Sequence, residues 1–119
     1  MSSSINKRGE ITLTRGDSFM VQVAIKKDGE YYTPVDGDVV RFALKHPKVN
    51  AAGTEYIDQE PLILKVIPND TMILELEPQD TKELGFGEYV YDMEITFGVD
   101  GRVDTFITEK KFLLTKEVH

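Results

Sequence analysis

The stretch YVYDMEITF, residues 89 to 97, changes character at every step. Tyr89, Tyr91, Met93, Ile95 and Phe97 fall on one parity, with Val90, Asp92, Glu94 and Thr96 on the other. A helix repeats every 3.6 residues and would scatter these side chains around its circumference. An extended strand repeats every two and sorts them into a dry face and a wet face. The run therefore predicts a strand whose odd-numbered side chains enter a core.

The same period recurs along the chain. Within residues 18 to 26, Phe19, Val21, Val23 and Ile25 oppose Met20, Gln22, Ala24 and Lys26. Within 38 to 45, Val40, Phe42 and Leu44 oppose Val39, Arg41, Ala43 and Lys45. Within 71 to 77, Met72, Leu74 and Leu76 oppose Ile73 and Glu75. In 62 to 67, Leu62, Leu64 and Val66 oppose Ile63, Lys65 and Ile67, and the first set is expected to face inward. Val39, Ile63, Ile67 and Ile73 then fall on outer faces. That is more apolar surface than a solvated sheet needs, so a partner or a second layer covers part of it.

Turn residues separate the runs: Arg15-Gly16-Asp17, Asp28-Gly29, Asp36-Gly37-Asp38, Pro68-Asn69-Asp70 and Asp100-Gly101. Glycine reaches positive φ at little cost, and Asp or Asn side chains satisfy turn backbone groups. A last strand is expected over about 103 to 115, with a bulge where Glu109-Lys110-Lys111 interrupts the alternation. One helical turn is expected after Pro78, with Asp80 as its cap and Glu83 reaching back. Residues 46 to 60 form the longest expected loop. Residues 1–9 read as a flexible leader without the apolar run of a secretory signal, and 10–119 as a single domain.

These elements predict an all-β protein, an immunoglobulin-like antiparallel β-sandwich of about seven strands with one short helical turn. The sharpest cue is Leu84-Gly85-Phe86-Gly87-Glu88-Tyr89-Val90-Tyr91, a short capped turn running into Gly-x-Tyr-x-Tyr. It matches a tyrosine corner, with Tyr89 tying its hydroxyl to upstream backbone. Tyr91 then stands where antibody domains place a cysteine. The chain has no cysteine and no tryptophan, which excludes a disulfide framework and the antibody class.

Function has to be sought in particular residues. A net charge of −7 argues against a nucleic-acid or anionic membrane surface. Arg15-Gly16-Asp17-Ser18 spells a receptor-recognition tetrapeptide, yet a turn between two strands explains it equally. Asp92 and Glu94 share one side of a strand with Cα atoms about 6.6–6.8 Å apart, a spacing open to glycoside hydrolysis and equally to a wet sheet face. Ser18 with His46 is the only serine–histidine pairing outside the termini, and Asp36 with Asp38 the barest start of a calcium loop. Neither completes a constellation, so no catalytic, cofactor or metal residue is expected. Tyr31, Tyr32, His46 and Tyr56 are the expected interaction surface, with one of the paired tyrosines buried and one exposed as the alternative.

The order of signals is I-T-L-T-R-G-D-S, Y-T-P-V-D-G-D-V-V-R-F-A-L-K, P-L-I-L-K-V-I-P-N-D-T and L-E-P-Q-D-T-K-E-L-G-F-G-E-Y-V-Y-D-M-E-I-T-F. It resembles small structural proteins of phages and prophages of Gram-positive bacteria, and is similar to the N-terminal domain of phage upper baseplate proteins. The likeness spans residues 10 to 115, strongest at Arg41-Phe42-Ala43-Leu44-Lys45 and from Asp80 to Tyr91. It implies a non-enzymatic tail or baseplate protein, made in the bacterial cytoplasm, that packs against itself or other phage structural proteins. It also implies that Arg15-Gly16-Asp17 is a turn. The alternative is a module that binds host-surface carbohydrate or another protein.

Overall fold

The computed structural model describes residues 3–47 and 60–116. In chain order the elements are β1 (Ser3–Ile5), β2 (Ile11–Thr14), β3 (Phe19–Gln22), β4 (Ile25–Lys27), β5 (Glu30–Tyr32), β6 (Val39–Lys45), β7 (Ile63–Ile67), β8 (Ile73–Leu76), α1 (Pro78–Thr81), β9 (Gly87–Thr96) and β10 (Val103–Thr115). The protein is all-β apart from the single turn of α1. A six-stranded sheet has the order β1-β2-β10-β9-β6-β7, and two ribbons, β3-β8 and β4-β5, complete the architecture.

The strand that constrained the reading most behaves as its pattern dictates. Tyr89, Tyr91, Met93, Ile95 and Phe97 are all buried. β9 lies between β10 and β6, so both of its edges are hydrogen-bonded and only its faces remain to be sorted. Val40, Phe42 and Leu44 of β6 enter the same cluster, together with Ile11, Leu13, Phe112 and Leu114. The β3-β8 ribbon adds Phe19, Leu74 and Leu76 to it, so one core serves sheet and ribbon alike.

Several expectations are corrected. The sheet is mixed rather than antiparallel, because β10 runs parallel to β2 with Phe112 beside Ile11 and Leu114 beside Leu13. The two strands come from opposite ends of the chain, so no hairpin dictates their relative direction. The run 18 to 26 is two strands. β3 pairs with β8, and past Val23 and Ala24 the chain leaves that partner and continues as β4 against β5. Alternation survives the break, with Val23 and Ile25 both buried.

The leader is also not wholly flexible, since Ser3–Ile5 pairs antiparallel with β2. Asn6 closes that hairpin: its Oδ1 accepts the N–H groups of Arg8 at 3.0 Å and Glu10 at 2.9 Å. The helical turn starts earlier than expected. Glu77 precedes it and donates its N–H to Asp80 Oδ2 at 2.7 Å, so Asp80 reaches back from the third helical position instead of capping. Pro78 sets that start, because its fixed φ and missing N–H suit the first position of a helix.

β7 is turned over relative to expectation. Ile63 and Ile67 are buried, whereas Leu64 is 60% and Val66 64% exposed. Its pairing with β6 sets the face, with Ala43 beside Leu64 and Arg41 beside Val66 on the outer side. With apolar residues on both parities, the strand's own pattern could not choose. In β10 the expected bulge is present: the register against β9 shifts between Thr105 and Ile107 and again before Lys110, and Glu109 has φ 48°.

Candidate functional site

The described members of the expected interaction set, Tyr31, Tyr32 and His46, do not form one surface. Tyr31 is 74% exposed, with Lys26 Nζ 5.5 Å from its ring centroid. Tyr32, its neighbour on β5, turns inward and meets Phe97 edge-on at 5.5 Å. One tyrosine is thus in water and one against the core, as strand alternation requires. His46 stacks on Tyr89 at 5.6 Å, in support of the corner. Tyr56 lies outside the described residues, as does most of the 46 to 60 loop.

Tyr89 donates its hydroxyl to the Gly85 carbonyl at 2.6 Å, four residues upstream, which is the contact a tyrosine corner makes. Tyr91 reaches further and donates to the carbonyl of Gly9, pinning the β1–β2 hairpin to the middle of the sheet. Burial pushes the Tyr91 phenol above its ordinary value.

The Arg15-Gly16-Asp17 segment is built into this corner. Gly16, with φ 85°, donates its N–H to the buried Thr81 Oγ1 at 2.9 Å. The Arg15 guanidinium lies 4.1 Å from the Phe86 ring centroid and 3.3 Å from the Leu84 carbonyl. The arginine thus engages the segment between α1 and β9 with a donor and its flat face. The segment joins β2 of the sheet to β3 of the ribbon.

Asp38 is a heavily engaged carboxylate. Its Oδ2 accepts the Tyr32 hydroxyl at 2.6 Å and the Val35 N–H at 3.0 Å, while Oδ1 accepts the Gly98 N–H at 2.9 Å. Asn69 adds a bond to the Asp38 carbonyl at 2.8 Å. The Tyr32 hydroxyl and the two N–H groups hold the carboxyl below its ordinary range, against the opposing effect of burial. The same hydrogen bond raises the Tyr32 phenol. Held by three donors, Asp38 knots three loops together. Among the described residues no group of three or more His, Asp or Glu is placed to hold a metal.

Asp92 and Glu94 do share the outer face of β9, and cations from β6 hold both. Lys45 pairs with Asp92, and Arg41 lies 3.9 Å from Glu94. Asp92 Oδ1 also accepts the Glu109 N–H at 2.6 Å, so this carboxylate anchors the bulge of β10. A shallow depression of about 240 Å³ over these residues is lined by Arg41, Lys45, Leu64, Asp92, Glu94 and Thr105. The arrangement is a neutral, cross-linked sheet face.

Beside that face lies a feature the strand pattern did not single out. Leu64 and Val66 of β7, with Leu62 just before it, project outward in a row at the terminal strand of the sheet. The signal was present as LILKVI between Pro61 and Pro68. Its meaning depended on a register no local pattern fixes. No helix among the described residues is long and apolar enough to cross a membrane. No protein-family model matches the chain, and no curated protein matches it.

Proposed function

We propose that the chain is a non-enzymatic structural protein of a phage or prophage. In this reading it is an immunoglobulin-like β-sandwich, made in the bacterial cytoplasm, that builds a tail or baseplate by packing against copies of itself or neighbouring virion proteins. The observation that carries the reading is the row Leu62, Leu64 and Val66, exposed together on a terminal strand. A contiguous apolar row left in water by a single copy marks a surface that an assembly protein buries against its neighbour. The engagement of Asp92 by Lys45 and of Glu94 by Arg41 also favours a structural face over a hydrolytic one.

The immunoglobulin-like description draws on topology. In such domains the second and fifth strands pair in one sheet, while the third, sixth and seventh share the other. The β3-β8 ribbon and the β6-β9-β10 run correspond to those groupings, with the Tyr89 corner between β8 and β9 where the fold has it. Co-expression with the products of flanking genes tests the proposal. Co-purification with a tail or baseplate component is the expected result, and a chain that forms no complex with any of them overturns it.

Tyr31 favours a second reading, that of a carbohydrate-binding module. Its exposed ring stands next to Lys26, which with Asp28, Arg102 and Asp104 lines a groove of about 520 Å³. An aromatic face beside mixed charges suits a sugar ring. A glycan array probed with wild type and Tyr31→Ala decides it: retention lost in the variant supports this reading, and an array without binding removes it.

A further inference from the structure

We infer that Asp28 is a site of spontaneous covalent ageing, where the Asp28-Gly29 bond isomerises through a cyclic imide to an isoaspartyl linkage while the rest of the chain stays folded. The inference goes beyond the proposed function and rests on neither of its readings.

Three Asp-Gly pairs occur in the chain: Asp28-Gly29, Asp36-Gly37 and Asp100-Gly101. In each, the glycine has no Cβ to keep the aspartate side chain away from the following amide nitrogen. The sequence therefore offers the same chemistry three times. The fold separates the three, because the ring closes only where the glycine nitrogen can approach Cγ of the aspartate.

At Asp100-Gly101 both reacting groups are held. Gly101 donates its N–H to the Phe97 carbonyl at 2.8 Å, and Asp100 Oδ1 accepts the Arg102 N–H at 2.9 Å. At Asp36-Gly37 the backbone is wedged. A Cβ built on Gly98 would stand 2.5 to 2.8 Å from Gly37 backbone atoms, and the Asp38 N–H closes the turn on the Val35 carbonyl at 3.0 Å. Rotating either turn toward ring closure breaks those contacts.

Asp28-Gly29 has no such restraint. It is the two-residue loop between β4 and β5, with Lys27 opposite Glu30 and φ 52° at Asp28 and 82° at Gly29. Among the described residues, neither the Asp28 carboxylate nor the Gly29 N–H has a hydrogen-bond partner. A Cβ placed on Gly29 would meet nothing within 4 Å, so the tip stands in open space. β4 and β5 are three residues each and pair with no other described strand, and a two-stranded ribbon that short opens readily. Its anchors in the core, Ile25 and Tyr32, lie at the end away from the turn. Left-handed backbone at a non-glycine residue adds strain that opening releases.

The reaction balances with water alone. The Gly29 nitrogen attacks Cγ of the protonated Asp28 carboxyl. A C–N bond forms as a C–O bond breaks, and the amide proton leaves with the hydroxyl as water. Water then opens the imide at either carbonyl. Attack at the side-chain carbonyl restores aspartate, whereas attack at the main-chain carbonyl leaves the chain running through Cγ with the α-carboxylate free. The product has one more methylene in its main chain, so the turn no longer matches Lys26 to Tyr31 and Lys27 to Glu30. The surface that ages is therefore the one that carries Tyr31.

Peptide mapping of the full chain after prolonged warm incubation at neutral pH in heavy-oxygen water tests the site. Isoaspartate separates from aspartate by retention time, resists a protease that cleaves before aspartate, and carries heavy oxygen from the opening of the imide. The folded protein is expected to accumulate it at residue 28 at least about tenfold faster than at 36 or 100. In guanidinium chloride the three pairs should react at similar rates, since only the fold distinguishes them. Asp28→Asn should pass through the same imide with loss of ammonia, and faster, because its amide needs no prior protonation. Asp28→Glu should stay intact, because its longer side chain closes a larger ring more slowly.

A rate at residue 28 below that margin in the folded protein overturns the inference, as does faster reaction at 36 or 100. No isoaspartate at residue 28 under folding conditions overturns it too, whatever happens in denaturant. An Asp28→Asn protein that keeps its amide overturns the geometry assigned to the turn.

Discussion

Asp38 and Gly98 show how much of the molecule rests on single residues. Gly98 approaches Gly37 so closely that an added Cβ would stand 2.5 Å from the Gly37 carbonyl carbon and 2.6 Å from its oxygen. Those atoms are backbone and cannot swing aside, so Gly98→Ala should cost about 1–3 kcal/mol or more in a urea titration. Asp38 depends on the same approach, since Gly98 supplies one of its donors. Its carboxyl is held below the ordinary value of 3.8, so its stabilisation is complete above that pH. It disappears as pH falls through the lower folded-state value. Acid unfolding followed by circular dichroism should therefore steepen below pH 3.8 in wild type. Asp38→Asn should be less stable at neutral pH and lose that part of the acid dependence. At the corner, Tyr89→Phe removes a bond to Gly85, whose exposed carbonyl can take water in exchange, so the loss should stay near 0.5–1.5 kcal/mol by thermal unfolding.

At the scale of elements, β7 and β9 make an instructive pair. β9 has apolar side chains on one parity and Asp92, Glu94 and Thr96 on the other, so only one face can be dry. β7 carries Leu64 and Val66 against Ile63, Lys65 and Ile67, so apolar side chains stand on both parities and transfer alone favours burying the first pair. What decides is the register with β6 and the pull of Asp80 on Lys65. Substitution measures the choice directly. Ile67→Ala should cost about 2–5 kcal/mol, the price of a vacated core site, whereas Val66→Ala in a dilute sample should stay within about 0.5 kcal/mol of wild type. A larger loss at Val66 than at Ile67 would mean that the strand faces the other way.

For the whole molecule, the parallel contact of β2 with β10 brings the two ends of the chain into one sheet. Phe112 and Leu114 fill the core beside Ile11 and Leu13 only because that closure is made. Phe112→Ala should cost about 3–5 kcal/mol, comparable to a change at the centre of β6, although residue 112 lies close to the chain's end. Hydrogen exchange should show the same hierarchy. Amides of β9, flanked by β10 and β6, should exchange most slowly, and those of β1 and the β4-β5 ribbon most quickly. Uniform protection would contradict this layering.

The alternation of Tyr89 through Phe97, the turns at Gly16, Gly29 and Gly101 and the interruption at Glu109 were legible because each is a local matter. A side chain's parity or a positive φ is decided within a few residues. The one-in, one-out disposition of Tyr31 and Tyr32 belongs with them, as does the reach of the Tyr89 hydroxyl to its own corner. Partners across sequence distance were not legible: the parallel closure of β2 on β10, the division of residues 18 to 26 between two ribbons, the face of β7, and the donors on Asp38. Each is a contest between nearly equal local alternatives, and energy from residues tens of positions away settles it. Periodicity therefore marked most of the strands, β1 excepted, while the folded sheet alone decided that Leu62, Leu64 and Val66 stand together on its outer face.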